Sequence, residues 1–318
     1  MDNTEKSGVL MFKFRIGLLV LGLALCAAGG ELFYCLQPQG KRQNFPRRTA
    51  GLGRTHIVID CSFDGSDEER WTRDELRQFK SRGATVLCYF SIGEAENYRG
   101  YWQTRWKNDP PPFLLTENPR WKGNFRVRYW DAAWQKIMLA ELDRIVEAGF
   151  DGVFLDIVDG FEYFEAEARR EQAVNPATGR TYRADMVQWV IRLAERARKR
   201  KADFRIFIQN GEALLADSAL LRTIDGLVVE DLFSNGKSMQ SSAEIRERLR
   251  YIHLAQSGGK TCFAVEYLPA GRKKQIQEQA ARFHLDLLVT DRDLKSEGKT
   301  YPVKPSGHSS SRADHRRQ

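Results

Sequence analysis

Histidine and cysteine are scarce in this sequence, five of each among 318 residues. The histidines, at 56, 253, 284, 308 and 315, form no i,i+4 pair and no cluster with cysteine, so the ligand spacings of a zinc hydrolase or deacetylase are missing. Cys61, Cys88 and Cys262 each sit in an apolar, strand-like run, where a thiol serves as a small core hydrophobe. With Cys26 and Cys35 they suggest no disulfide framework. No glycine-rich phosphate cradle follows any apolar run, and neither a metal nor a cofactor is expected. Long apolar stretches are also lacking: the most sustained, Ile16 to Ala28, is ~13 residues, short of the ~20 that cross a bilayer as a helix.

The formal charge of +8 invites a nucleic-acid reading until its location is considered. Residues 1–54 carry eight Lys/Arg against three Asp/Glu and residues 295–318 carry six against two, which leaves 55–294 at −1. The part that folds is therefore not basic, and no nucleic-acid partner is expected. With Lys6, Lys13 and Arg15 ahead of the apolar run and Gly29-Gly30 behind it, 1–30 reads as a secretory signal or N-terminal anchor, and the expected location is outside the cytoplasm or in the cell envelope. Any membrane contact is expected through that segment alone. Residues 31–54, rich in Gln, Arg, Gly and Pro, read as a linker, and 295–318 as a disordered basic tail.

From residue 55 short apolar runs alternate with amphipathic charged stretches, the pattern of βα units on a parallel sheet. Candidate strands are 55–61, 85–91, 125–130, 152–156, 205–209, 226–230, 261–266 and 285–290; the third is the least apolar. Helical periodicity lies between them near 72–82, 133–148, 182–201, 212–222, 241–256 and 272–282, with Thr72 and Ser242 as N-caps. Eight strands with intervening helices predict a single α/β domain over 55–294, a TIM-like (β/α)8 barrel, expected to be a monomer.

The strand ends carry the chemistry. They read Asp60, Glu94, Asp131, Asp156 with Asp159, Gln209-Asn210, Glu230-Asp231, Glu266-Tyr267 and Asp291, and in a barrel they converge on one mouth. Asp131 and Asp291 read first as helix caps or loop hydrogen-bonders, Glu94 either as a partner of Arg99 or as a binding residue, and Asp151 and Asp225 as turn formers at the far end. Asp156 and Glu230 differ because each closes an apolar run in which a charge must be supported. A pair of carboxylates is the minimum equipment for breaking a glycosidic bond.

Three segments, Tyr89-Phe90-Ser91-Ile92-Gly93-Glu94-Ala95-Glu96-Asn97-Tyr98-Arg99, Gly149 to Asp156, and Asp225 to Glu230, resemble glycoside hydrolase family 114, the endo-α-1,4-polygalactosaminidase family. The resemblance implies a secreted TIM-barrel glycosidase with Asp156 as nucleophile and Glu230 as general acid and base of a retaining mechanism. Asp60, Tyr89, Glu94, Arg99, Asp159, Asn210, Asp231, Glu266, Tyr267 and Asp291 are the expected substrate contacts. Five of seven tryptophans (102, 106, 121, 130 and 134), with Tyr98, Tyr101, Phe113 and Tyr129, crowd the connection after the second strand, either to stack on sugar rings or to form a core for that loop. An acidic rim favours a cationic amino-sugar polymer. A non-catalytic polysaccharide-binding barrel serving export or scaffolding is the second reading, and a metal-dependent phosphate-ester enzyme a third that the charge distribution disfavours.

Overall fold

The computed structural model describes residues 30–267 and 270–303. Twelve strands occur in chain order: β1 (Leu32–Tyr34), β2 (His56–Ile59), β3 (Thr85–Ser91), β4 (Glu94–Glu96), β5 (Leu114–Glu117), β6 (Asn124–Val127), β7 (Gly152–Asp156), β8 (Arg205–Gln209), β9 (Gly226–Glu230), β10 (Thr261–Glu266), β11 (Asp286–Val289) and β12 (Lys299–Tyr301). Nine form one sheet in the order β1-β2-β3-β7-β8-β9-β10-β11-β12. The first eight run parallel and only β12 is antiparallel. Hydrogen bonds from Leu36 N–H to Leu294 O (3.0 Å) and from Gly30 N–H to Asp286 Oδ2 (2.6 Å) join its first and eighth strands into a nearly closed barrel.

The eight strands are not the eight expected. The run 125–130 does not enter the barrel; residues 124–127 form β6, the middle of a separate antiparallel sheet ordered β4-β6-β5. Its alternation of Phe125 and Val127 with Arg126 and Arg128 suits a ribbon solvated on one side, whereas a barrel strand is covered on both faces. The missing strand lies in the expected linker, where Leu32-Phe33-Tyr34 is fully buried and pairs with His56 to Val58. Residues 45–51 are helical as well, so 31–54 belongs to the domain. At the other end β12 extends the sheet past residue 294. The expected signal segment up to residue 29 and the tail from 304 lie outside the described residues.

The helices are α1 (Phe45–Gly51), α2 (Arg73–Phe79), α3 (Ala132–Ala148), α4 (Phe161–Glu167), α5 (Tyr182–Arg198), α6 (Ser218–Thr223), α7 (Ser242–Ser257) and α8 (Lys273–Arg282). Thr72 caps α2 in a capping box with Glu75, as its sequence predicts. The cap of α7 is Ser241 rather than Ser242, because Ser241 stands three residues before Glu244 and closes the same reciprocal pair. Among the described residues, no helix is long and apolar enough to cross a membrane.

Strand alternation sorts the side chains into two cores. Leu32, Val58, Leu87, Phe154, Phe207, Val228, Phe263 and Leu288 fill the barrel, while Phe33, Ile57, Val86, Val153, Leu155, Ile206, Leu227 and Ala264 meet the helices outside. At the strands' N-terminal end Asp151 takes the Val86 N–H (3.0 Å) and Asp225 the Ile206 N–H (2.8 Å), so both expected turn formers also register neighbouring strands.

Candidate active site

Parity aims two acids into the barrel's open end. In β7, Gly152, Phe154 and Asp156 share the inward face, and in β9 so do Gly226, Val228 and Glu230. A Cβ on Gly226 would come within 2.1 Å of the Phe207 ring, so glycine at the strand's start makes room for the packing beneath the acids. Past their ends the chain turns the same way three times: Ile157, Asn210 and Asp231, the residues after β7, β8 and β9, have φ of 56°, 54° and 49°. For a β-branched residue such as Ile157 this left-handed conformation costs about 1–3 kcal/mol and persists only when packing holds it. Gly93 supplies that packing, since a Cβ there would lie 2.5 Å from Ile157 O.

Asp156 Oδ2 accepts the Tyr89 hydroxyl at 2.7 Å. Burial first, and the charge of Glu230 second, push the Asp156 carboxyl up to about 7. Glu230 Oε1 accepts the Tyr267 hydroxyl, Asn210 Nδ2 approaches Oε2 at 3.5 Å, and the Glu230 N–H donates to Asn210 Oδ1 at 2.9 Å. Burial raises Glu230 too, opposed by donors on Tyr267, Gln209 and Asn210. Three side-chain donors thus approach Glu230 and one approaches Asp156, so the two carboxyls sit in unlike environments.

Beside this pair lies an ion cluster. Arg99, its side chain 9% exposed, donates to both oxygens of Asp60 at 2.7 Å and through Nε to Glu96 at 2.6 Å. Burial alone would raise Asp60, but Arg99 brings it below the usual carboxylate range. The expected Glu94–Arg99 pair is not formed: Glu94 is buried, takes Asn118 Nδ2 at 2.8 Å and has its second oxygen enclosed without a partner. Asp159 lies three residues past β7, its backbone N 3.3 Å from where a Cβ on Gly211 would sit just past β8, and burial followed by the charges of Asp156, Glu162, Glu212 and Glu230 raises it strongly.

The remaining expected contacts divide. Both carboxylate oxygens of Asp231 accept from Arg292 Nη2 at 2.9 Å, and the Arg292 guanidinium lies 4.3 Å from the Tyr267 ring centre. Asp291 accepts the N–H groups of Lys295 and Ser296, a turn role, although it also lines a cleft with Tyr267 and Arg292. Asp131 caps α3. Glu266 is a correction: it is 0% exposed, points outward from the barrel opposite to Tyr267, and accepts the Phe233 N–H at 2.7 Å, so no substrate reaches it.

Two residues of the mouth escaped the sequence reading. Tyr34, on the unexpected β1, is buried between the charges of Glu230 and Asp156 and donates to Gln209 Oε1 at 3.0 Å. Glu96 takes Arg99 and the Tyr98 hydroxyl (2.7 Å); its spacing of two from Glu94 in a strand was the available signal. Of the clustered aromatics, Trp106, Phe113, Tyr129 and Trp134 are buried and Tyr101, Trp102 and Trp130 pack against them, which is the loop-core alternative. Trp121 and Tyr98 remain 46% and 48% exposed. Among the described residues, no group of three or more His, Cys, Asp or Glu is placed to hold a metal ion.

The profile of glycoside-hydrolase family GH114 matches residues 55–305. A protein of Deinococcus radiodurans is 38% identical over 241 residues, covering 75% of this chain and 73% of its own length. One of Methanocaldococcus jannaschii is 37% identical over 223 residues, 69% of this chain and 62% of that protein, so the match spans less than two thirds of that relative. The fold is shared with Aspergillus fumigatus Ega3, solved in complex with galactosamine (TM-score 0.62, 18% identity, 86% of this chain and 96% of that one). It is shared equally with the glycoside hydrolase domain of PelA from Pseudomonas aeruginosa (TM-score 0.63, 14% identity, 86% and 98%).

Proposed function

This chain belongs to glycoside-hydrolase family GH114, and from that premise we propose that it cleaves α-1,4-linked, galactosamine-containing polysaccharide at the mouth formed by β7 and β9, outside the cytoplasm or in the cell envelope. The observation that carries the reading is the pairing of Asp156 and Glu230, two half-buried carboxyls on one barrel face, each held by a tyrosine hydroxyl. That Ega3 was solved with galactosamine supports the choice of sugar.

In the retaining mechanism Asp156 attacks the anomeric carbon as the glycosidic C–O bond breaks, and Glu230 donates its proton to the departing oxygen. Glu230 then takes a proton from water, which displaces Asp156. This order needs a protonated Glu230 and an ionised Asp156. A sugar ammonium beside Asp156 favours the ionised form that burial opposes, so a cationic unit prepares its own cleavage. A neutral, N-acetylated unit gives no such help.

The test is incubation with partially deacetylated galactosamine polymer and analysis of new reducing ends, with Asp156→Asn and Glu230→Gln as controls. Each variant is expected to lose activity by about 10²–10⁴-fold or more while still binding polymer. Full activity in either variant sinks the assignment. If wild type binds polymer without releasing ends, the barrel is a binding module instead.

A further inference from the structure

We propose that the small sheet β4-β6-β5 is a glycan-binding wall that holds sugar units beyond those joined at the scissile bond, with Trp121 and Tyr98 as its stacking faces. The proposal rests on the polysaccharide reading above and adds where the rest of the polymer lies.

The register of this sheet fixes which face meets the mouth. Glu94 pairs with Arg126 and Glu96 with Asn124, while Ala95 between them is buried toward the helices. The opposite face therefore carries Glu94, Glu96, Asn124 and Arg126. Glu96 belongs to the mouth: it lines a pocket with Tyr89 and Arg99, and Arg99 ties it at 2.6 Å to Asp60, just past β2, at 2.7 Å. The polar face of the sheet continues the site outward.

At the end beyond Glu96 and Asn124, Asn97 N–H donates to Gly123 O at 2.8 Å. That bond brings Tyr98 and Trp121 to the same end of the sheet, and they are the two most exposed aromatic rings among the described residues. The other rings of this insertion are packed, so the fold's own core does not account for this pair. Tyr98 is anchored by its hydroxyl on Glu96 and by the Arg99 guanidinium 5.0 Å from its ring centre, which sets the ring before any ligand arrives. Asn118, at the foot of the turn bearing Trp121, donates to Glu94 Oε1 at 2.8 Å and ties that turn to the sheet.

The experiment measures binding of Glu230→Gln, which does not cleave, to long deacetylated galactosamine polymer and to its trisaccharide. Adding Trp121→Ala is expected to weaken polymer affinity about 3–10-fold and leave the trisaccharide unchanged, with Trp121→Phe restoring most of the loss. In the cleaving enzyme Trp121→Ala raises KM for polymer at constant kcat. Equal polymer affinity with and without Trp121 overturns the wall while hydrolysis stands. Trp121-dependent binding without any cleavage by wild type keeps the wall and removes the hydrolase. Neither binding nor cleavage by wild type removes both.

Discussion

The Tyr89 hydroxyl reaches Asp156 Oδ2 across 2.7 Å from two residues below its level, because the ladder sets Ser91, not Tyr89, opposite Asp156. The hydroxyl lowers a carboxyl that burial and Glu230 have raised. Removing it as Tyr89→Phe is expected to lift Asp156 above about 7 and move the acidic limb of the kcat/KM profile upward by about 0.5–1 pH units. An unchanged profile with full activity would mean that Tyr89 serves packing alone.

Tyr34 holds the carbonyl side of Gln209 and so turns the amide nitrogen toward Glu230. In Tyr34→Phe the amide is free to rotate and Glu230 loses a donor that favours its ionised form. We expect kcat to fall about tenfold with little change in KM, and the pH optimum to move up. A rise in KM alone points to a binding role and refutes the positioning role.

Glu266 is raised to about 8 by burial, against an ordinary value near 4.5. An acid whose folded-state value is raised binds more protons folded than unfolded, so its contribution to stability declines as pH climbs from about 4.5 to 8 and is flat beyond. Glu266→Gln keeps an oxygen for the Phe233 N–H and removes the titration. Its melting temperature should exceed that of wild type at pH 9 and match it near pH 4.5, by thermal unfolding across that range.

Arg99 is expected to be the costliest single loss. Arg99→Met leaves Asp60 and Glu96 as buried, uncompensated charges, worth about 3–5 kcal/mol in denaturant unfolding near neutrality. Because Arg99 lowers Asp60, that stabilisation is present above the unfolded value and fades as pH falls below about 4 in wild type. A loss under 1 kcal/mol contradicts this account.

How much of this was legible in the sequence depends on run length. Gly152–Asp156 and Gly226–Glu230 announced themselves because each is an apolar run stopped by an acid, and the alternation that points both acids inward follows from counting. Leu32-Phe33-Tyr34 did not, since three residues among Gln, Arg and Gly give no periodicity, and its burial comes from partners far along the chain. With it went Tyr34. Glu266 misled for the opposite reason: it ends a strand as the true site residues do, and only its odd place relative to Tyr267 sends it to the helix side.

The left-handed residues after β7, β8 and β9 bear on how such a protein can vary. Since handedness at Ile157, Asn210 and Asp231 fixes where the backbone leaves the barrel, whatever follows each turn is uncoupled from the strand-end residue that precedes it, Asp156, Gln209 or Glu230. Downstream segments can grow, shrink or acquire new side chains to suit another polymer while the bond-breaking pair stays where it was.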